Sequence, residues 1–273
     1  MTEMMDSIAQ LRRQSAIDEL LSVGWLQHLS WQSEVDSTNN LAKQYIQQFS
    51  GHSLPSLFVS DRQTAGRGRS GNSWWSPDGC LMFTLLIDSS QLPTDASRYP
   101  QLALVVGLAM CEMVNHILGD QVGQLKWPND LYVQNRKLAG ILIESLQSRP
   151  QQPAFAIGVG INVDIDWRQA PAKLREQAGC LSSFGGRQIY RESVLVEFIQ
   201  RIENHLQHWC IDADYWRDPW RQRSLLNGRI VTAQVGDELV IGRCEGIDEM
   251  GRLLLRDEMQ MHVITAAHII EWQ

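Results

Sequence analysis

Apolar residues recur at helical spacing in several stretches of the chain, and these stretches predict amphipathic helices. The stretches, with the residues expected on their buried faces, are residues 7–22 (Ile8, Leu11, Ile17, Leu20, Leu21), a segment after Asp36 (Leu41, Ala42, Tyr45, Ile46, Phe49), residues 99–118 (Leu102, Val105, Val106, Ala109, Met113, Ile117) and residues 193–209 (Val194, Leu195, Phe198, Ile202, Leu206, Trp209). Breakers support the boundaries, because Gly24 and Gly119 follow two of the helices and Pro100 suits a first helical turn.

Short apolar runs between these helices predict strands. They cover residues 57–61, 80–87 and 154–163, and residues 124–144 have the pattern of two strands around a turn at 134–137. From Asn227 onward the pattern changes to short strands and tight turns over about 45 residues, which is typical of a small β-barrel. The chain therefore alternates helices and strands and ends in an all-β module.

Composition and charge narrow the classes of function. The chain has 273 residues, 44% hydrophobic and 20% charged, as in ordinary globular proteins. Its net charge of -7 argues against a general nucleic-acid binder, which needs a basic surface. The five cysteines are widely spaced without a C-x-x-C pair, so we expect reduced thiols and a cytoplasmic protein. We expect no secretory leader and no membrane span, because the most apolar stretch, Leu102 to Met113, is short and contains Gly107.

Residues 64–77, TAGRGRSGNSWWSP, concentrate glycine, arginine and tryptophan. The stretch contains G-x-G-x-x-G, but the residues after it predict a turn and a strand where a dinucleotide-binding fold needs a helix. A Walker A loop is excluded because no Gly-Lys-Ser/Thr follows. Free backbone amides, two guanidinium groups and flat indoles would still suit a small anion that carries a planar ring. The alternative is a flexible loop that one tryptophan anchors to the core.

Residues 125–144, LKWPNDLYVQNRKLAGILIE, form a second polar cluster around two predicted strands. Its polar members are Lys126, Asn129, Asp130, Arg136 and Lys137. Gly140 interrupts the apolar run, which is typical of a close approach by a ligand. Cations at hairpin ends are usually solvated, and this explains Arg136 better than Lys137, which borders the buried run.

Four segments in this order, DSTNNLAK, RQTAGRGRSGNSWWSPDG, LKWPNDLYVQNRKLAGILIE and IGVGINV, resemble the biotin protein ligases from about Trp31 to near the C-terminus. The resemblance implies an α+β fold in which a mixed β-sheet with flanking helices, like that of class II aminoacyl-tRNA synthetases, is followed by a small SH3-like β-barrel. The implied boundaries are 1–225 for the catalytic domain, with 1–30 as an N-terminal helical extension, and 226–273 for the barrel.

The resemblance also implies an activity. Biotin and ATP, with Mg²⁺, would give biotinyl-5′-AMP and pyrophosphate, and biotin would then pass to a lysine of a biotin carboxyl carrier protein domain. No tightly bound cofactor and no metal site in the protein are expected. Two alternatives stay open, a lipoate or octanoate protein ligase or transferase and a non-catalytic biotin-binding regulator. The Arg-Gly-Arg loop beside Gln63 favours biotin, and the presence of Arg69 and Lys137 favours catalysis.

Individual roles follow from the same resemblance. The implied catalytic residues are Lys137, Arg69 and Arg67. The implied biotin-binding residues are Ser37, Thr38, Asn39, Gln63, Arg67, Gly68, Arg69, Lys137 and Gly140. The implied ATP- and adenylate-binding residues are Arg67, Arg69, Trp74, Asn129, Lys137 and Asn162. The chain departs from the family pattern at Asn72, where a basic residue is frequent. It departs again in the barrel, where AAHIIEWQ replaces the usual GE followed by a nearby arginine and so gives no support for an ATP contact.

The remaining features concern DNA and membrane partners, the oligomeric state, two histidines and three tryptophans. About 30 residues precede the resemblance, fewer than a helix-turn-helix module needs, so DNA binding is not expected, nor is a membrane partner. The oligomeric state is left open, with a homodimer as one outcome. His205 and His208 are predicted to be solvated rather than to bind metal. Trp209, Trp216 and Trp220 are predicted to pack between the catalytic domain and the barrel.

Overall fold

The computed structural model describes residues 2–48, 53–119, 121–149 and 152–273. The α-helices are α1 (Thr2–Ser22), α2 (Thr38–Gln48), α3 (Leu102–Leu118), α4 (Ala172–Gln177), α5 (Leu181–Gly185), α6 (Arg191–Ile211) and α7 (Arg217–Arg223). The strands are β1 (His28–Val35), β2 (Ser56–Gln63), β3 (Cys80–Asp88), β4 (Gly123–Lys126), β5 (Asp130–Val133), β6 (Arg136–Arg149), β7 (Gln152–Asn162), β8 (Ile230–Val235), β9 (Glu238–Ile247), β10 (Leu253–Arg256), β11 (Met261–Ile264) and β12 (His268–Trp272). Phe49, expected at the end of α2, lies outside the described residues.

The larger sheet is mixed, as predicted. In the described chain its strand order is β1-β2-β3-β7-β6-β5-β4. β1 pairs with β2 in parallel, and each later pair is antiparallel. The antiparallel hairpins need only short turns, such as the one at Gln134 and Asn135, where both residues have a positive φ.

The two faces of the larger sheet have different partners because side chains alternate along each strand. On β3, Leu85 and Ile87 enter the main core beneath α3 and α6, whereas Leu86 points to the opposite face and packs under α2. On β7, Ile157 and Val159 enter the main core. The continuous apolar runs in the sequence therefore mark strands that are buried on both faces.

Glycines on the second face of β7 leave room for other side chains. A Cβ on Gly158 would collide with the Asn39 carboxamide, and a Cβ on Gly160 would lie 2.5 Å from the Trp74 ring. The alternation in IGVGINV thus separates a core face from a face on which polar residues of α2 and the 64–77 loop can approach the backbone.

The segment Ala96–Leu118 is long and apolar enough to cross a membrane by length and composition. The sequence expectation missed this because it counted only Leu102 to Met113. Within the protein, Val105, Val106 and Ala109 have no exposed surface and belong to the main core together with residues of α6. Burial between the sheet and α6 is therefore a sufficient reason for the apolar character of this helix.

The C-terminal strands form a separate antiparallel sheet, with the order β11-β10-β9-β8-β12 among the described residues. It packs on the larger sheet through the WPND segment, where the Trp127 indole N–H donates to the Gly251 carbonyl at 2.9 Å. Trp216 is fully buried at this junction, 3.7 Å from the position of a Cβ on Gly251. The predicted packing role of Trp209, Trp216 and Trp220 is consistent with exposures of 2% or less.

Some details of the sequence prediction were wrong. Residues 124–144 form parts of three strands, and β1 was not predicted. On α1, Ile8, Leu11 and Leu21 are exposed, because the helix buries only a narrow strip around Ala16 and Leu20.

One expected solvated residue is in fact buried. His205 has 8% exposure and lies 3.0 Å from the Glu112 carboxylate and 2.8 Å from the Tyr215 hydroxyl. His208 is exposed, as expected.

Candidate active site

A cavity that is open to solvent lies on the second face of the larger sheet. The start of α2, the 66–74 loop, the WPND segment and strands β6 and β7 form its walls, and residues 267–269 at the start of β12 close one side. Segments distant in sequence therefore meet at one concave surface, the usual setting of a small-molecule site.

One end of the cavity is a neutral hydrogen-bonding network at the start of α2. The Thr38 backbone N–H donates to Gln63 Oε1 at 2.7 Å, and the Thr38 hydroxyl lies 3.2 Å from the same oxygen. Since a backbone N–H must face an acceptor, the Gln63 oxygen is fixed toward Thr38 and its amide nitrogen is available as a donor. The buried Thr84 hydroxyl lies 2.8 Å from Thr38 Oγ1 and donates to Asn39 Oδ1 at 2.6 Å. This end can recognise a ligand that carries both donors and acceptors.

Arg67 is held at the rim by a carboxylate of β6. Its guanidinium donates to both Glu144 oxygens, at 3.1 and 2.8 Å, and to Asn40 Oδ1 at 2.9 Å. Glu144 also accepts from the buried Asn39 amide at 2.6 Å. One carboxylate therefore connects the loop, the start of α2 and β6, so that Arg67 fixes the position of the loop in this state.

Trp74 covers the glycines in the middle of the cavity. Its ring lies over Gly160 and beside Gly140, its indole N–H donates to Cys80 Sγ at 3.4 Å, and the Lys137 ammonium lies 5.9 Å from its ring centre. The glycines allow the indole to lie flat against the sheet. The arrangement offers a planar surface beside a cation.

The other end of the cavity collects charges. Lys137 Nζ lies 2.7 Å from Asp130 Oδ1, with a third of the lysine side chain exposed. Arg69 donates to Asn129 Oδ1 at 3.3 Å, and the Asn129 amide in turn donates to the Ile141 carbonyl at 2.7 Å. Burial lowers the pKa of Arg69, and the charge of Asp130 opposes that shift. Arginine still stays protonated at neutral pH, so this end presents fixed positive charge to an anion.

The predicted site residues converge, with one exception. Ser37, Thr38, Asn39, Gln63, Arg67, Gly68, Arg69, Trp74, Asn129, Lys137 and Gly140 all line the cavity. Asn162 is not among its lining residues. The buried Asn162 amide donates instead to the backbone carbonyls of Gly179, at 3.1 Å, and Lys137, at 3.4 Å. Asn162 thus holds the backbone of Lys137, and its predicted contact with the adenylate stays a prediction.

Sequence reasoning assigned no role to Thr84, Lys126, Asp130 or Glu144. A signal existed for Thr84, since it is the polar residue within the apolar run CLMFTLLI. The sequence shows that Asp130 and Lys126 are charged, but not that they lie side by side on neighbouring strands. The cavity contact of residues 267–269 was also missed, because AAHIIEWQ lacks the expected arginine.

The described residues offer no group of three or more His, Cys, Asp or Glu side chains that could hold a metal ion. Asp130 faces the cavity but is already paired with Lys137.

Comparison with known proteins places these features in a family. The model of the biotin/lipoate A/B protein ligase family matches residues 31–164. The chain is 32% identical to the bifunctional ligase/repressor BirA of Escherichia coli, over 82% of this chain and 68% of that protein. It is 29% identical to the biotin–[acetyl-CoA-carboxylase] ligase of Mycobacterium tuberculosis over 95% of both chains.

A solved structure agrees with the fold. The biotin protein ligase from Aquifex aeolicus in complex with biotin and ATP superposes with a TM-score of 0.78 and 29% identity, over 91% of this chain and 99% of that chain. The similarity thus includes the C-terminal sheet as well as the mixed sheet.

Proposed function

The chain belongs to the biotin/lipoate A/B protein ligase family, and we propose that it is an ATP-dependent biotin protein ligase whose single active site is the cavity between the 66–74 loop and β12. The observation that carries the proposal is the meeting, in one cavity, of a neutral hydrogen-bonding end and a cationic end. A ligand with a polar ring at one end and a carboxylate at the other matches this division.

The first step joins the biotin carboxylate to the α-phosphate of ATP. Both groups are anionic, and two unit charges 4 Å apart repel by about 4 kcal/mol at an effective dielectric constant near 20. Lys137 and Arg69 offset that repulsion because their charges are already fixed at the cationic end before the ligands arrive. Asp130 and Asn129 orient the two side chains. ATP enters with Mg²⁺ as its counter-ion.

The neutral end selects the acyl group. Gln63 Nε2 donates to the ureido carbonyl, and the Thr38 hydroxyl takes part in the same network. A fatty acid lacks this ring and would leave these polar groups without partners, which disfavours its binding strongly. Trp74 supports the adenylate at the middle of the cavity by stacking.

The second step transfers biotin to a lysine amine of a carrier domain. The amine attacks the acyl carbon of biotinyl-5′-AMP, and AMP leaves. A groove on the outer side of the loop borders Arg67, Arg69 and Asn129 and continues to Tyr99 and Phe155. We place the approach of the carrier along this groove, because it reaches the cationic end without displacing the loop.

The proposal extends to the organisation of the chain. Residues 1–225 act as the catalytic domain, with residues 1–30 as its helical extension, and residues 226–273 act as a second domain that closes one wall of the cavity. Cytoplasmic location and the absence of DNA binding belong to the same proposal. Sedimentation with and without biotin and ATP tests for a homodimer, and addition of duplex DNA tests for a complex.

The direct test is biotin-dependent exchange of labelled pyrophosphate into ATP. We expect exchange with biotin but not with lipoate, and a loss of at least 100-fold in Lys137→Ala, on the order of one removed charge-stabilising group. Lys43→Ala is the matched control, because Lys43 is an exposed lysine of α2.

The outcomes separate the alternatives. Exchange with lipoate would assign the protein to the lipoate ligases. Biotin binding without exchange would leave a non-catalytic regulator. Equal rates in Lys137→Ala and the wild type would remove Lys137 from the reaction.

A further inference from the structure

Lys126 is a buried lysine that the chemistry above does not use. Only 9% of its surface is exposed, yet it lines the cavity at the side closed by β12. In the described chain its ammonium has one hydrogen-bond acceptor, the Ile269 carbonyl at 3.5 Å, and it lies 4.2 Å from the Trp272 ring. An ammonium carries three donors, so this cation is poorly satisfied for its degree of burial.

Strand register places Lys126 next to the reacting end. Lys126 pairs with Asp130 across β4 and β5, and Asp130 pairs with Gly140 across β5 and β6. The row therefore runs from Gly140 beside Trp74, through Asp130, the partner of Lys137, to Lys126.

The charges around Lys126 do not neutralise the cavity. Asp130 is the carboxylate beside it and is already paired with Lys137, while the Tyr132 ring centre lies 5.7 Å from the Lys126 ammonium and His268 lines the same cavity. Desolvation lowers the pKa of Lys126 to about 8, with an opposing contribution from Asp130 and a further lowering from Lys137. A buried cation of this kind is stabilised by an anionic ligand more than by solvent.

From this placement we infer that Lys126 binds the β- and γ-phosphates of ATP and retains them as pyrophosphate when it leaves. The inference rests on the proposed function. When the biotin carboxylate attacks the α-phosphorus, the bond from that phosphorus to the bridging oxygen breaks and the electron pair stays on the pyrophosphate. The Lys126 ammonium donates hydrogen bonds to this oxyanion, and no proton needs to be transferred. Trp272 and the Ile269 carbonyl hold the amine, so the C-terminal strand contributes without an arginine.

The test compares the wild type with Lys126→Met, which keeps an unbranched side chain of nearly the same length and removes the charge. ATP formation from synthetic biotinyl-5′-AMP and pyrophosphate gives the KM for pyrophosphate. Transfer from the same synthetic adenylate to a carrier peptide gives the rate of the second step, in which pyrophosphate has no part. Lys126→Arg restores charge, and Lys43→Met controls for loss of a lysine.

We expect Lys126→Met to raise the KM for pyrophosphate at least tenfold, to leave the transfer rate within twofold of the wild type and not to lower the melting temperature. Lys126→Arg should recover part of the lost affinity. An unchanged KM for pyrophosphate, or an equal loss in both steps, would overturn the role of Lys126. Absence of ATP formation in the wild type would instead overturn the proposed ligase activity, on which the inference depends.

Discussion

The contact between Trp74 and Gly160 gives a sharp test of how the cavity is built. In Gly160→Ala, the new Cβ would lie 2.5, 2.7 and 2.8 Å from three atoms of the Trp74 indole, so the ring must move. Gly140 is the cross-strand partner of Gly160, and its Cβ would meet the same ring at 3.3 Å. Gly140→Ala is therefore a matched control on the same row of the sheet.

The magnitudes of these effects predict that Gly160→Ala weakens ATP binding more than it lowers the free energy of unfolding. Overpacking costs about 1–3 kcal/mol, while alanine in place of glycine within a strand recovers about 0.5–1 kcal/mol. Trp74 is only partly buried and borders an open cavity, so its ring can swing outward and relieve the clash. We expect the free energy of unfolding of Gly160→Ala to fall by no more than about 1 kcal/mol. The displaced ring would forfeit stacking of about 1–3 kcal/mol per base.

A loss of stacking in that range corresponds to about 5- to 150-fold in the KM for ATP, and a loss near its lower end to about tenfold. Pyrophosphate exchange at varied ATP, with urea unfolding of the same samples, measures both quantities. We expect about a tenfold rise in Gly160→Ala and less than about threefold in Gly140→Ala, where the ring moves little. Equal KM values in the two variants would refute the role of Trp74 as the adenylate-side wall.

Two further predictions concern charged residues at the edges of the cavity. Glu144→Gln should lower the free energy of unfolding by about 1 kcal/mol and raise the KM for biotin, because Arg67 loses its bidentate partner. Glu34 forms an exposed pair with Arg62, so the control Glu34→Gln should change either quantity little. A KM for biotin that stays constant would show that Arg67 needs no such partner. For Lys126, the folded pKa of about 8 lies below the ordinary 10.5, so the unfolded state binds more protons between these values. The free energy of unfolding of the wild type relative to Lys126→Met should therefore rise by up to about 3 kcal/mol from pH 8 to pH 10.5. Urea unfolding of both proteins across this range measures the change, and a difference between their midpoints that stays constant with pH would contradict the prediction.

The sequence predicted those elements whose burial pattern is regular. The stripes of α3 and α6 and the continuous runs of β3 and β7 were recognised because these elements pack in the main core. β1 was missed because HLSWQSEV alternates weakly in an edge strand with much exposed surface. The stripe on α1 was wrong, since Leu11 is 70% exposed although its spacing is helical. Spacing shows which residues share a face of a helix but not how wide a surface the rest of the chain provides for it.

The motifs also named residues that the structure brings together. Arg69, Trp74 and Lys137 were named because their segments resemble those of the biotin protein ligases, whereas composition alone left a flexible loop as the alternative for residues 64–77. Their grouping in one cavity agrees with that reading. Asn162 shows where motif reasoning ends, because its side chain binds the backbone of Lys137 instead of lining the cavity.

What the sequence determined by itself is thus the main core helices and strands, the chemistry of the loop and the resemblance to a family. The tertiary structure alone decided which charges meet. Glu144 holds Arg67, 77 residues away, and Lys126 lies against the carbonyl of Ile269, 143 residues away. Such pairs depend on strand register and on the packing of the C-terminal sheet, and a single-residue shift in register would turn each side chain to the opposite face. No local pattern contains that information, because the partners share no segment of the chain.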